Sequence, residues 1–391
     1  MPTPPPLSHL GDMPIETFIS EYWHKKPLLI RQAFTDFEAP VTPDELAGLA
    51  CESEVESRLL IETPETGDWQ LKHGPFEESL FSELPQDHWT LLVQGVDHWV
   101  PEAADLVEQF RFIPSWRLDD LMVSYAAPGG GVGPHYDNYD VFLLQAAGQR
   151  RWEIGGLYDQ DSEFLPGKPV RILSQWQPEQ SWVLNPGDML YLPPRVGHNG
   201  VAVSDDCVTY SVGYRAPQNG DMLMHFANFC GWQLKDTDRY SDPDLSLRNS
   251  SGEICNSDLQ RVQSMFREFV EDRENLARWF GRFVTEPKYP ENQQEATPED
   301  SGDPVEELKM QPDGILRRGE GIRFAYSLSG GLLQLFVHGH SFNCPLEMRP
   351  LVELLCDQNE MSVAQILPWA DDPDGAAVLE KLLFSEYLYV L

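Results

Sequence analysis

The feature that most constrains the fold is a series of short apolar segments between residues 57 and 214, each closed by glycine, proline or asparagine. Residues 57–62, 68–72, 89–93, 121–126, 139–145, 150–154, 170–176, 182–184, 189–192, 200–203 and 208–214 read as strands. They are too short for helices and rich in β-branched and aromatic residues. So many short strands with tight punctuation imply a β-sandwich or barrel, and the jelly roll is the expected form. A helix and a short strand over 12–35 and an acidic-ended helix over 43–50 precede the series.

After Pro217 the texture changes. Residues 221–234 carry Met222, Leu223, Phe226 and Phe229 at helical spacing. A second helix is expected from Ser257, with Ser257 and Gln260 as a capping box. Its stripe holds Leu259, Val262, Phe266, Phe269 and Val270, then Leu276, Trp279, Phe280 and Phe283. A stripe that wide suits either a helical dimer interface or packing within the chain, and the sequence leaves both open. Residues 286–304 are polar and proline-bearing, hence a linker, and the chain from 305 mixes short helices and strands as a small α+β winged-helix-like domain would. The expected division is 1–216, 217–285, 286–304 and 305–391.

With 28 Lys and Arg against 63 Asp and Glu, the chain has a formal charge of −35. Such a surface repels nucleic acid and steers basic partners toward itself. Residues 301–391 hold 14 acidic against 6 basic residues, so a winged helix there suits protein contacts better than DNA. Six cysteines are scattered without a C-x-x-C pair, which gives neither a zinc ribbon nor a disulfide framework and fits a reducing compartment. No apolar run approaches a membrane span, and the opening Met-Pro-Thr-Pro-Pro-Pro is unlike a signal peptide, so a cytoplasmic protein is expected.

The chemistry concentrates in Gly-Val-Gly-Pro-His135-Tyr-Asp137-Asn-Tyr-Asp140. In extended chain His135 and Asp137 share a face and Tyr136 points away. An imidazole and a carboxylate so placed are two ligands of a facial triad, the donor set with which non-haem Fe(II) oxygenases leave positions open for a chelating co-substrate and dioxygen. His198 is the expected third ligand, delivered at the start of a strand by the Pro186-Gly187-Asp188 turn and the Pro193-Pro194 kink, as cupin-type barrels deliver their last metal histidine. His73, His88 and His98 read as structural or surface residues. His338 and His340 alternate in a Val-His-Gly-His strand without a carboxylate at useful spacing.

If 2-oxoglutarate is the electron donor, its distal carboxylate needs a buried cation. Arg150 shares a strand face with Trp152 and Ile154, so it should point inward while Arg151 faces water, and its guanidinium suits bidentate carboxylate binding. Ser124 is placed to add a hydroxyl hydrogen bond. Tyr136, Tyr139 and Asp140 are candidates for holding a cationic target through aromatic faces and negative charge.

The segment from Gly129 to Phe142, with Gly148-Gln-Arg150-Arg-Trp152 and Tyr210-Ser-Val-Gly-Tyr-Arg-Ala-Pro217, resembles the JmjC-type ribosomal oxygenases, in particular the bacterial ribosomal-protein arginine hydroxylases. Trp23-His-Lys-Lys-Pro27, residues 43–50 and His73-Gly-Pro-Phe76 extend the likeness. It implies a mainly β double-stranded β-helix, a helical dimerisation region and a winged-helix domain. It also implies iron ligands His135, Asp137 and His198, with 2-oxoglutarate contacts at Ser124 and Arg150. The implied reaction is hydroxylation of an arginine β-carbon in a basic large-subunit ribosomal protein by a homodimer. The same residues would serve a histidyl or lysyl hydroxylase, and a non-catalytic cupin-like ribosome-associated binder is the other reading.

Overall fold

A computed structural model describes residues 4–290 and 302–391. They form two compact units: residues up to 216 with 288–290 and 317–321, and residues 217–287, 302–316 and 322–391.

The first unit is a jelly roll of two antiparallel sheets. The larger has eight strands in the order Leu28–Ile30, Met189–Leu192, Val141–Ala147, Cys207–Tyr214, Leu118–Ala126, Trp89–Val93, Ser57–Thr63 and Asp68–His73. The smaller places Arg150–Leu157 between Gln180–Leu184 and Val196–Ala202. Val141, Leu143, Leu190 and Leu192 of the large sheet meet Trp152, Ile154, Leu184 and Val196 of the small one. The outer face of the large sheet is covered by the short helices Ile15–Glu21, Pro43–Leu49 and Pro101–Glu108. Phe18 drives this packing, with its ring 4.8 Å from Tyr191 and 5.4 Å from Phe142. Truncating a buried aromatic of this kind to alanine typically costs ~3–5 kcal/mol. The helix Pro43–Leu49 starts on a capping box between Thr42 and Glu45 with proline at its first turn.

The expected strand over 170–176 does not form; only an isolated bridge joins Phe164 to Leu173. Ile172 and Leu173 are both buried, which breaks the two-residue alternation of a strand, and Pro169 and Pro178 flank the segment. The strand expected at 200–203 begins earlier, as Val196–Ala202, so His198 lies within it rather than at its start.

In the second unit the first helix is Asn219–Gly231 and the next Asn256–Glu271. The cap falls on Cys255 and Asp258, not Ser257 and Gln260: the Asp258 carboxylate accepts from the Cys255 amide at 3.0 Å and is gripped by Arg248 at 2.7 Å. The expected continuous helix breaks at Asp272, which caps a separate helix, Arg273–Thr285, by accepting from the Asn275 amide. That break divides the aromatic stripe. Trp279 and Phe283 are buried against Phe226 and His225 of the helix Asn219–Gly231, while on the other face Gly281 lets the helix sit on the Phe336 ring. Leu259, Phe266 and Val270 stay exposed. The strands Phe324–Ser329, Leu332–Val337 and His340–Cys344, a second small sheet and the helices Arg349–Asp357, Val363–Ala370 and Pro373–Phe384 share one core. His338 and Gly339, both at positive φ, make a tight hairpin turn, so His338 and His340 do not alternate on one strand. Of the linker expected over 286–304, residues 291–301 lie outside the described residues, while Lys288 and Tyr289 belong to the first unit.

Candidate active site

His135 and Asp137 sit on extended chain just before the strand Val141–Ala147, and a two-hydrogen-bond bridge ties His135 to His198. The His135 amide donates to His198 O at 2.9 Å and the His198 amide to His135 O at 2.8 Å. Side-chain ligand atoms of His135, Asp137 and His198 all fall within 4.8 Å of one another. Asp137 Oδ2 is 4.0 Å from His135 Nε2 and 3.5 Å from His198 Nε2. This is the only such group of three His, Cys, Asp or Glu among the described residues.

Each imidazole is steered by a carbonyl two residues back. His135 Nδ1 lies 2.9 Å from Gly133 O, and His198 Nδ1 lies 3.0 Å from Val196 O. With Nδ1–H donating, both Nε2 lone pairs face the centre of the triad, the tautomer that metal ligation needs. Burial, with His135 adding its repulsion, pushes the His198 pKa down to about 4, so this imidazole stays neutral at ordinary pH. Two glycines permit the approach: Gly133 has a φ of +78°, and a Cβ on Gly131 would stand 2.5 Å from Gly200 O.

The triad opens into a cleft of about 760 Å³ within the first unit. Arg150, Trp152 and Ser124 line it, and the strand alternates as expected, with Arg150 buried and Arg151 exposed. Arg150 is 4% exposed, and its Nε and Nη2 have no hydrogen-bond partner. A guanidinium in that condition is costly unless an anion completes it. Ser124 and Ser211 add buried hydroxyls to the wall, and Thr209 adds one that donates to Gln145 Oε1 at 3.2 Å. Thr209 and Ser211 escaped the sequence reading. Their alternation with Tyr210 was the available signal, because it puts both hydroxyls on one face.

Tyr136 and Tyr139 line the cleft. Tyr136 stacks with Tyr158 and Phe164, and the Arg171 guanidinium lies 4.2 Å from the Phe164 ring. The Tyr139 hydroxyl is held well above the usual phenol range by burial and by Asp137. Asp140 is elsewhere: it is fully buried, accepts from the Tyr191 hydroxyl at 2.6 Å and faces His24 Nε2 at 3.2 Å. It does not line the cleft, so its carboxylate is not placed to meet a substrate there. His73, His88, His98, His338 and His340 take no part in the triad.

The JmjC domain family matches residues 105–222, and the ROXA-like winged helix family matches 268–389, a span that takes in the helix Arg273–Thr285. The ribosomal protein uL16 3-hydroxylase of Escherichia coli (strain K12) is 33% identical over 372 residues, 95% of this chain and 96% of that protein. The chain belongs to the JmjC-domain ribosomal oxygenases. A probable ribosomal oxygenase of Haemophilus influenzae is 39% identical over 64% of this chain and 62% of its own length. The structure of the E. coli ribosomal oxygenase YcfD in complex with cobalt and 2-oxoglutarate matches with a TM-score of 0.85 at 32% identity, covering 98% of this chain and 99% of that one.

Proposed function

We propose that this chain is an Fe(II)- and 2-oxoglutarate-dependent oxygenase that hydroxylates the β-carbon of an arginine in the large-subunit ribosomal protein uL16. The observation that carries the reading is the unpartnered, buried Arg150 guanidinium in the same cleft as the His135–Asp137–His198 triad. Two imidazoles and one carboxylate suit a divalent first-row metal and leave positions for a chelating acid. Arg150 would bind the distal carboxylate of 2-oxoglutarate, with the Ser124 hydroxyl as an additional donor. Bound iron supplies activation of dioxygen coupled to decarboxylation of 2-oxoglutarate, which yields succinate, carbon dioxide and the hydroxylated side chain.

The chain's own part is placement and exclusion. The Gly133 and Val196 carbonyls hold the imidazoles in their ligating tautomer, and Trp152 with Leu143 gives the cleft an apolar wall that keeps water from the reacting carbon. Tyr136 and Tyr139 offer aromatic faces to the target guanidinium. The net charge of −35 favours a basic polypeptide and disfavours nucleic acid. The exposed apolar face of Asn256–Glu271 supports a homodimer built through residues 217–285, with 305–391 as a winged-helix domain for protein contacts. A ribosomal target implies the cytoplasm; no helix among the described residues is long and apolar enough to cross a membrane.

The test is mass spectrometry of basic ribosomal-protein peptides, uL16 sequences among them, incubated with enzyme, Fe(II) and 2-oxoglutarate. The expected result is the mass of one added oxygen on an arginine, absent with His135→Ala or without 2-oxoglutarate. Addition on histidine or lysine instead would redirect the target. No product and no succinate with any peptide would refute the oxygenase reading.

A further inference from the structure

We infer that Lys288 is a specificity-determining residue of the cleft: its ammonium fills an acidic recess beside the triad and denies that recess to cationic side chains of the substrate. The inference rests on the reading of the cleft as the seat of a basic polypeptide.

The recess is formed by Glu56, Asp119 and Asp120, which line the same cleft as His135 and Asp137. Tyr139 lines the same cleft, and its hydroxyl feels the carboxylates of both Asp137 and Asp120. Asp120 Oδ2 accepts from Gln94 Nε2 at 2.7 Å and the Gly95 amide at 2.9 Å, with Lys288 Nζ at 3.0 Å. Asp119 lines the cleft too, with its side chain one-third exposed and Lys288 Nζ 2.8 Å away. The next residue anchors the lysine: the Tyr289 hydroxyl donates to Glu56 at 3.0 Å, and its ring lies 5.8 Å from that of His98. Pro287 and Pro290 flank the pair and restrict its backbone. Lys288 is thus a tethered cation, present at a local concentration that a free peptide cannot match.

The need for such an occupant follows from the chemistry. A basic ribosomal segment carries several lysines and arginines, and only one belongs at the metal. An open carboxylate recess in the same cleft would bind any of them and hold the peptide out of register. Specificity of this kind comes from blocking the wrong mode as much as from favouring the right one. The competing account makes Lys288 only a counter-charge for the buried Asp97 and Asp120. Kinetics separates the two, because unproductive binding lowers kcat and KM by one common factor and leaves kcat/KM unchanged, which loss of stability does not do.

The experiment compares wild type, Lys288→Ala and Lys288→Arg on the hydroxylated peptide, and measures thermal melting with and without n-butylammonium. Lys288→Ala should lower kcat and KM together by about tenfold, the value of one charge-assisted hydrogen bond, while Lys288→Arg behaves as wild type. n-Butylammonium should raise the melting temperature of Lys288→Ala and leave wild type unmoved. If Lys288→Ala folds only when the amine is present, which a counter-charge alone would also produce, the kinetic comparison is made on Lys288→Gln, with the same joint fall in kcat and KM expected and an unchanged KM overturning the inference. An unchanged or raised KM, or a Lys288→Ala protein that the amine neither stabilises nor refolds, would overturn it. A wild type inactive on every peptide would refute the functional reading, and the inference would fall with it; an active wild type with an unchanged KM in Lys288→Ala would refute the inference alone.

Discussion

Asp97 shows how far a single residue's setting can depart from its sequence context. Its carboxylate accepts from the Leu121 amide at 2.8 Å, and burial together with the neighbouring Asp120 charge pushes its pKa up to about 7. The folded protein therefore holds a proton that the unfolded chain releases. The resulting stabilisation is complete below the ordinary aspartate range and is lost as pH rises through about 7. Asn in place of Asp97 keeps the acceptor for Leu121 and removes the titration. The melting temperature of Asp97→Asn should fall less than that of wild type between about pH 4 and about pH 7; an identical slope would show that Asp97 does not carry the effect. Nothing in Val-Asp97-His-Trp announces this, because the burial comes from residues far along the chain. The iron-ligand candidates were legible for the opposite reason. His135 and Asp137 are fixed by two-residue alternation, and Arg150 by the apolar face it shares with Trp152 and Ile154. Asp140 was misread because proximity to the motif says nothing of the Tyr191 and His24 partners that bury it.

At the scale of elements, the strands were readable where apolar and polar residues alternate or where a run is uniformly buried. Residues 170–176 do neither, and prolines flank them. The helical stripe from Leu259 to Phe283 looked continuous because periodicity alone does not register a cap. Asp272 ends one helix and starts another, and the two halves have different fates. Trp279 and Phe283 are buried beside His225 and Phe226 of the helix Asn219–Gly231, while Leu259, Phe266 and Val270 are 58%, 59% and 56% exposed. That apolar face is where a second copy should bind. Phe266→Glu should shift the protein from dimer to monomer in sedimentation equilibrium with its circular dichroism unchanged. A wild type that is already monomeric at micromolar concentration would remove the dimer from the account.

For the whole molecule, the order of jelly roll, helices and winged helix could be read from texture: short punctuated strands, then helical periodicity, then mixed elements. What could not be read was the return of Lys288 and Tyr289 to the first unit. A polar, proline-bearing stretch looks like a linker whether or not one of its lysines is locked between two aspartates. If the triad and Arg150 together form one binding site for a metal and a dicarboxylate, binding of the acid must depend on both. Isothermal calorimetry of 2-oxoglutarate into the Co(II)-loaded protein tests it most directly, with wild type beside Arg150→Met. The account predicts binding that requires the metal and is weakened at least about 30-fold by the substitution, as expected when one partner of a buried charge pair is removed. Binding that is indifferent to either the metal or Arg150 would contradict it.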